Sequence, residues 1–320
     1  MRVLIVANHN TGTYTPFILE QVDALQNLGV EIDYFGVHGK GFYGYLSNLA
    51  PLKAKVEAYN PDLIHAHYGL SGLLANLQRK IPVVTTYHGS DIHSRGQNLF
   101  LSRIAMRLSA YNIFVSEGLQ KLANYHNRNQ CVSPCGVDTT TIYPIERSEA
   151  RKLLGWDNEG KYVLFAASYD NDIKNSRLAK MAISLLEGVH MIELCGYTRE
   201  QVNWAMNAAD CLLMTSHREG SPQVVKEALT CGTPIVSVDV GDVKDVTSGI
   251  DGCYITTYDA NELAASIEKA FAFQSKTKGP QRIADRGLSN EYIAKRILEI
   301  YEKVTKSSKS YRGSNILARK

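Results

Sequence analysis

Two glutamates flank the start of a predicted helix in the second half of the sequence, with seven residues between them. Glu219 lies in a loop, and Glu227 lies inside the helix. Ser221 is a favourable N-cap, and Pro222 suits the first helical position. The free N–H groups and the positive dipole end of such a helix bind phosphate. Glu227 would lie roughly 9 Å along the helix axis from the cap, so the pair suits a ligand held at two ends, such as a sugar nucleotide.

The same two glutamates also fit an ordinary solvated loop and a solvated helix face, and their spacing alone leaves both interpretations open. They are far apart for a pair that shares one bond-breaking event, because the carboxyls of retaining glycosidases lie about 5 Å apart. The apolar run 210–215 precedes this segment, Gly232 ends its helix, and the β-branched run 233–240 follows. This order is typical of a strand, a helix and a strand in a parallel sheet.

The composition of the chain bounds its class. With 320 residues it is long enough for two domains, and 44% hydrophobic with 21% charged residues is typical of a folded, soluble protein. A net charge of +3 argues against a nucleic-acid-binding protein. The six scattered cysteines favour reduced thiols in the cytoplasm. The first residues are typical of a strand rather than a signal peptide, and no apolar run has the length of a membrane span.

Apolar strands alternate with helices in two series. The first series predicts strands at 2–8, 30–37, 62–69, 82–91, 111–116 and 129–138, and the second begins at 161–168. The segment 139–160 between them is predicted as a linker. We therefore expect two α/β domains with open parallel sheets. The predicted ranges are 1–145 joined by a terminal helix at 290–305, then 146–289, with a frayed basic tail at 306–320.

Histidines lie near the ends of two strands of the first series. His65 and His67 share one face of a strand, and His88 and Asp91 follow the next strand. The carboxyl ends of parallel strands meet at one edge of a sheet, where ligands bind. The His65–His67 spacing also suits a metal ion, so a metal-dependent hydrolase built on these four residues is an alternative. Barrel-type metal hydrolases carry such a pair on their first strand, whereas here it lies on the third.

The order of these motifs resembles the retaining glycosyltransferases of family four over nearly the whole chain. The most specific match is the E-x7-E pattern, here E-G-S-P-Q-V-V-K-E, followed by A-L-T-C-G-T-P-I-V. Around it are A-A-D-C-L-L-M-T-S, C-G-Y-T-R-E, C-G-V-D-T-T-T-I-Y-P and T-Y-H-G-S-D. The resemblance implies an α/β architecture of the GT-B type, in which two Rossmann-like parallel-sheet domains face a central cleft.

The resemblance also implies roles for single residues. Lys174 would neutralise the departing diphosphate, and Glu219 would contact hydroxyls of the donor sugar. His88 would sit over that sugar from the N-terminal side, and Glu227 would hold the two ribose hydroxyls. The remaining donor positions are Gly220, Ser221 and Pro222 for sugar and phosphate, and Gly196 and Tyr197 for the base. The loop around Gly12 would face the phosphates or the acceptor, with Tyr14 and Asp91 on the acceptor side.

One position departs from the family pattern. The family often has an arginine shortly before the lysine, as a second phosphate clamp, and here Ser168 stands at or near that position. Arg177 follows on the next helix. With one fixed cation fewer, stabilisation of the leaving group would depend on Lys174 and on the helix start at Ser221. Because this cation is missing, a non-catalytic sugar-nucleotide-binding protein is a second alternative.

The function that the resemblance implies is sugar transfer from a nucleoside-diphosphate sugar, with retention, to a hydroxyl of a glycan or lipid-linked acceptor. Such enzymes commonly build surface polysaccharide, lipopolysaccharide or glycolipid, so we expect a cytoplasmic protein with peripheral contact to the inner face of the membrane and no nucleic-acid partner. No cofactor and no metal are expected. The D-N-D sequence at 170–172 imitates a metal-binding D-x-D motif, but a three-letter match occurs easily by chance.

Overall fold

The structure, a computed structural model, describes residues 1–93 and 96–317. These residues form two compact units, the first made of residues 1–136 and the C-terminal helix, and the second of residues 137–289. Each unit contains one parallel sheet with helices packed on it. The predicted pair of parallel-sheet α/β domains is therefore confirmed. Within the described ranges, no helix combines the length and the apolar composition needed to cross a membrane.

The sheet of the first unit has six parallel strands in the order β2-β1-β3-β4-β5-β6. The strands are β1 (Arg2–Asn8), β2 (Glu31–Val37), β3 (Leu63–His67), β4 (Val83–Tyr87), β5 (Tyr111–Phe114) and β6 (Gln130–Val132). The helices between them are α1 (Pro16–Asn27), α2 (Gly41–Leu46), α3 (Leu49–Tyr59), α4 (Gly69–Asn76), α5 (Ser90–His93), α6 (Gln97–Leu108) and α7 (Glu117–Ala123).

Strand β1 is apolar along its length because helices cover both of its faces. Val3 and Ile5 pack into one core with Val22 of α1, whereas Leu4 and Val6 pack into another with Leu52 of α3. Alternate residues of a strand point to opposite faces, so a strand buried on both sides needs an unbroken apolar run. The long C-terminal helix α15 (Asn290–Leu317) also belongs to the first unit, because Ile293, Ile297 and Tyr301 pack into the core of α1.

The sheet of the second unit has five parallel strands in the order β11-β10-β9-β7-β8. The strands are β7 (Lys161–Phe165), β8 (Val189–Glu193), β9 (Cys211–Met214), β10 (Ile235–Val238) and β11 (Cys253–Thr256). The helices are α8 (Arg147–Leu154), α9 (Ser176–Ile183), α10 (Arg199–Ala208), α11 (Gln223–Cys231), α12 (Val243–Thr247), α13 (Ala260–Ala272) and α14 (Gly279–Asp285), and a 3₁₀ turn spans Asp172–Lys174.

The segment between the two sheets differs from the predicted linker. Residues 137–145 belong to the second unit, and part of the predicted linker forms α8. Two buried asparagines of α10 hold the extended chain: the amide of Tyr143 donates to Asn203 (3.0 Å) and that of Ile145 to Asn207 (2.9 Å). Ile142 is fully buried in the same unit. These long-range bonds place the start of the second unit at 137, earlier than the predicted 146.

Two local predictions also differ from the structure. Strand β6 spans only three residues of the predicted 129–138, and Arg296 of α15 donates to the carbonyl of Val132 at its end (3.1 Å). The basic tail was predicted to fray from residue 306, whereas α15 continues through Leu317. Residues 318–320 of that tail lie outside the described residues.

Asp210 is the charged centre of the junction between α8 and the second sheet. Its carboxylate pairs with Arg147 and Arg151, each at 2.9 Å, and accepts the amide of Tyr162 at 2.8 Å. The side chain of Arg151 is only 4% exposed. Removing the carboxylate therefore leaves a buried cation without its counter-charge.

We expect Asp210→Ala to lower the free energy of unfolding of the second unit by about 3 kcal/mol, because a buried guanidinium loses its partner. Both tryptophans, Trp156 and Trp204, lie in this unit, so urea unfolding followed by tryptophan fluorescence measures it directly. Arg147→Met is the matched control and should cost only about 1 kcal/mol, since that side chain is partly solvated. Equal losses in the two variants would contradict this account.

Candidate active site

The loops after β7, β9 and β10 meet at the carboxyl edge of the second sheet. Lys174 ends the 3₁₀ turn after β7, and Glu219 lies in the loop after β9. Lys174 Nζ donates to Glu219 Oε1 at 2.7 Å, with both side chains mostly buried. The Thr215 hydroxyl donates to the carbonyls of Lys174 (2.9 Å) and Asn175 (3.0 Å). The structure thus brings two predicted site residues together and fixes the turn that carries the lysine.

Helix α11 starts differently from the prediction. Pro222 is its N-cap, with extended φ and ψ, and the side chain of Ser221 does not cap the helix. The Ser221 hydroxyl donates instead to Asp242 Oδ2 at 2.6 Å. The predicted Ser221 cap is therefore wrong, because an acceptor on the next loop takes this hydroxyl. The left-handed residue after the helix is Gly232, as predicted, with φ of 70°.

A buried lysine lies under the same loop. Lys226 is 1% exposed, and its Nζ donates to the Ser221 hydroxyl at 3.2 Å. Burial raises the pKa of Asp242, and the charge of Lys226 opposes that shift. Gly241, at a φ of 62°, lies so close to this loop that a Cβ there would come within 3.1 Å of Glu219. The loops after β9 and β10 are thus packed together around Ser221.

The second glutamate of the motif has its own cation. Glu227 is 4% exposed, and Arg199 Nη1 lies 2.8 Å from its Oε1. Arg199 is the first residue of α10, directly after the cap Thr198, which forms a capping box with Gln201. Sequence reasoning missed Arg199, Lys226 and Asp242. All three are visible in the motifs, but only tertiary packing pairs Arg199 with Glu227 and joins Lys226 and Asp242 through Ser221.

The remaining positions that were predicted to bind the donor lie after β7 and β8. Gly196 has a φ of 77°, and a Cβ there would meet nothing within 4 Å, so its backbone can face a ligand closely. Tyr197 packs partly buried against the core of the second unit, and Cys195 before them is an exposed, free thiol. The Ser168 hydroxyl accepts the amide of Asp170 at 3.3 Å. Ser168 therefore shapes the turn that leads to Lys174.

Three histidines at the carboxyl ends of β3 and β4 are engaged in hydrogen bonds. His65 Nδ1 lies 2.6 Å from the Tyr301 hydroxyl, and its Nε2 lies 2.7 Å from the Thr86 hydroxyl. His67 Nδ1 lies 2.9 Å from His88 Nε2. Burial lowers the pKa of His67 to about 3, so its ring is neutral at physiological pH. Both ring nitrogens of His65 are engaged, which disfavours metal binding there, and among the described residues no group of three His, Cys, Asp or Glu is placed to hold a metal ion.

Asp91 anchors the loops at the carboxyl edge of the first sheet. Its carboxylate accepts the amides of Gly89 (2.9 Å) and Gly69 (3.1 Å). It lines a cavity of about 430 Å³ whose described walls are mainly hydroxyl and amide side chains, including Asn8, Thr11, Thr13, Thr15, Tyr68 and Ser102. Gly12, at a φ of 80°, lies in the loop that carries these threonines. Tyr14 instead stacks on Tyr34, with ring centroids 4.9 Å apart.

Comparisons with known proteins show which family the sequence resembles. Residues 3–141 match the model described as Glycosyltransferase Family 4, and residues 161–272 match the model described as Glycosyl transferases group 1. The chain is 25% identical over 268 residues to the D-inositol 3-phosphate glycosyltransferase of Mycolicibacterium gilvum, a match that covers 68% of this chain and 60% of that protein. It is 26% identical over 238 residues to the putative teichuronic acid biosynthesis glycosyltransferase TuaC of Bacillus subtilis, covering 65% and 61%. The matches therefore span less than two thirds of these relatives.

Solved structures share the fold. The sucrose-phosphate synthase of Thermosynechococcus elongatus has a TM-score of 0.84 at 16% identity, covering 96% of this chain and 100% of that one. Anabaena HepE in complex with UDP has a TM-score of 0.74 at 18% identity, covering 95% and 100%. At these identities the likeness shows the fold, and it confirms the predicted type of architecture.

The buried carboxyl of Asp91 predicts a specific pH dependence. Burial raises its pKa from 3.8 to about 6, so the folded state binds more protons than the unfolded state between these values. Its contribution to stability is then greatest below pH 4 and is lost as the pH rises through 6. Asp91→Asn lacks this titration. The melting temperature of the wild type minus that of the variant should fall between pH 4 and 7, and a constant difference would contradict the assignment.

Proposed function

Because the chain belongs to the family-four glycosyltransferases of group 1, with the GT-B fold, we propose that it transfers a sugar from a nucleoside-diphosphate sugar to an acceptor hydroxyl. Transfer proceeds with retention at the anomeric carbon and without a metal ion. The acceptor is a glycan or a lipid-linked acceptor, in a pathway that builds surface polysaccharide, lipopolysaccharide or glycolipid. The reaction takes place in the cytoplasm, near the inner face of the membrane.

The observation that carries this proposal is the Lys174–Glu219 pair beside the start of α11, with Glu227 further along the same helix. A diphosphate placed at the helix start meets the positive end of the helix dipole and the Lys174 ammonium. On one side of it Glu219 can accept hydroxyls of the sugar, and on the other Glu227 can accept those of the ribose. HepE, which shares the fold, has been solved in complex with UDP and with UDP-glucose, which supports this class of donor.

The chemistry follows from the charges at this site. The acceptor oxygen attacks the anomeric carbon on the face that the phosphate leaves, and the acceptor proton passes to the departing phosphate oxygen. One C–O bond forms and one breaks, and because both events occur on the same face of the sugar, the configuration is retained. Lys174 stabilises the charge that develops on the diphosphate, which is the main task of such a site. Glu219 positions the sugar. A carboxylate that is already paired with a cation serves better as a hydrogen-bond acceptor than as a nucleophile.

The cavity at the edge of the first sheet suits the acceptor. The hydroxyl and amide side chains that line it can hydrogen-bond the repeated hydroxyl groups of a sugar. On binding, the sugar then exchanges hydrogen bonds with water for hydrogen bonds with the protein. Asp91 lines this cavity and orders the loops around Gly69 and Gly89, which supports an acceptor-side role for it. The roles of His88, Gly12 and Tyr14 stay predictions.

Two variants separate binding from chemistry. Glu227→Ala should raise the donor Kd by about tenfold or more, because hydrogen bonds to a charged group are lost. Lys174→Ala should lower kcat by about a hundredfold with a smaller change in Kd, because it acts on charge that develops in the transition state. Calorimetry gives the Kd, and release of nucleoside diphosphate gives kcat. Lys152→Ala, on the exposed face of α8, is the matched control.

The same assay tests the alternatives. Wild-type protein that binds a sugar nucleotide but never turns it over with any acceptor would be a binding protein, and unchanged kinetics in both variants would refute the site.

Metal removal is a separate test of the mechanism. Since Lys174 and the start of α11 supply the positive charge, we expect turnover to continue after treatment with EDTA, at a rate within about twofold of the untreated enzyme. Loss of turnover that manganese restores would show that a metal performs this task. Metal analysis of the purified protein before treatment is the control.

A further inference from the structure

We propose that Arg199 is a positioning residue for nucleotide recognition, which holds the Glu227 carboxylate in the orientation that accepts both ribose hydroxyls. The inference rests on the proposed function, because it needs a nucleotide bound beside Glu227. It adds a residue outside the E-x7-E motif and outside the loop at Gly196 and Tyr197.

The geometry of the pair sets the orientation of the carboxylate. Arg199 Nη1 lies 2.8 Å from Glu227 Oε1, and the side chain of Glu227 is only 6% exposed. The Nε and Nη2 atoms of the same guanidinium are buried as well. The Arg199 side chain is 29% exposed as a whole, but a planar guanidinium with two buried nitrogens moves little, so its contact with Oε1 restricts the rotation of the carboxylate. A carboxylate offers about four lone-pair sites, so an ion pair through Oε1 is compatible with two hydroxyl donors at the other oxygen.

The location of Arg199 indicates a task other than helix stability. A cation in the first turn of a helix faces the positive end of the dipole, which is unfavourable. The capping box already satisfies the amides of Thr198 and Gln201 at the start of α10, and Glu200 is the residue type that suits its first turn. The arginine therefore lies where local preference disfavours it, and its contact with Glu227 offsets this cost.

Two other functions for Arg199 make different demands. If it contacted the phosphates directly, its loss would weaken every nucleotide equally, whatever the sugar. If the ion pair closed the ribose site until the donor broke it, loss of Arg199 would tighten binding. Only a positioning function ties the effect of Arg199 to the 2′-hydroxyl of the ligand.

The experiment measures how much the 2′-hydroxyl contributes to nucleotide binding, with and without Arg199. Calorimetry gives the Kd values of UDP and 2′-deoxy-UDP, and likewise of GDP and ADP and their 2′-deoxy forms. The proteins compared are the wild type, Arg199→Met, Arg199→Lys and Glu227→Gln. We expect the wild type to prefer the ribose form of its nucleotide by about tenfold, since a lost hydroxyl leaves a buried charged acceptor unpaired. Arg199→Met should reduce that preference to within about twofold, and Arg199→Lys, which keeps the charge but not the fork, should give an intermediate value.

The double variant and a control complete the design. Arg199→Met should cause no further loss of preference in the Glu227→Gln background, because both act on one contact. Arg286→Met is the matched control, since it breaks an exposed arginine–carboxylate pair with Asp245 in the same unit. It should keep the full preference.

The outcomes test the inference about Arg199 separately from the proposed function. Three results with Arg199→Met would overturn the inference and leave the proposed function standing. The variant could keep the preference for the ribose form, bind both forms of the nucleotide more weakly by the same factor, or bind them more tightly. A wild type that binds none of the nucleotides would overturn both. If Arg199→Met does not fold, as judged by its tryptophan fluorescence, Arg199→Lys and Arg199→Gln decide the result by the same ratio.

Discussion

Compensation of buried charge organises the carboxyl edge of the second sheet. Glu219 lies against Lys174, Glu227 lies against Arg199, and Asp242 is joined to Lys226 through the Ser221 hydroxyl. Burying a charge is costly unless a partner is present, so each acid depends on a base that a different element supplies. The turn after β7, the start of α10 and the loop after β10 are thereby tied to α11. A diphosphate that enters must compete with carboxylates for the cations it meets, which favours a ligand that also offers hydroxyls to those carboxylates.

The sequence predicts the features that are set locally. An unbroken apolar run specifies a strand covered on both faces, and β1 has this structure. Gly232 ends α11 in the left-handed conformation because a glycine reaches it without strain. The E-x7-E spacing places both glutamates near one helix start, since the rise per residue of a helix is constant. The resemblance named the correct family from these motifs.

Other features depend on contacts distant in sequence. Ser221 is a sound N-cap by type, but Asp242, 21 residues away, takes its hydroxyl. Residues 139–145 lie in the segment predicted as a linker, and hydrogen bonds to two asparagines of α10 make them part of the second unit. The His65–His67 spacing is as suitable for a metal as for hydrogen bonding. Tyr301 of the C-terminal helix favours hydrogen bonding, because its hydroxyl engages a ring nitrogen of His65. Arg199 was missed for the same reason, because nothing near it in sequence indicates Glu227.

The exposed thiol beside Gly196 has a practical consequence. Cys195 is exposed, whereas the other five cysteines are buried or partly buried. Burial raises the pKa of Cys211, Cys231 and Cys253 and so suppresses their thiolate forms. A maleimide dye will therefore attach first at Cys195, with no engineered cysteine and no substitution of the native ones. The natural chain thus carries its own attachment point for a fluorescent reporter, one residue away from the loop assigned to the nucleotide base.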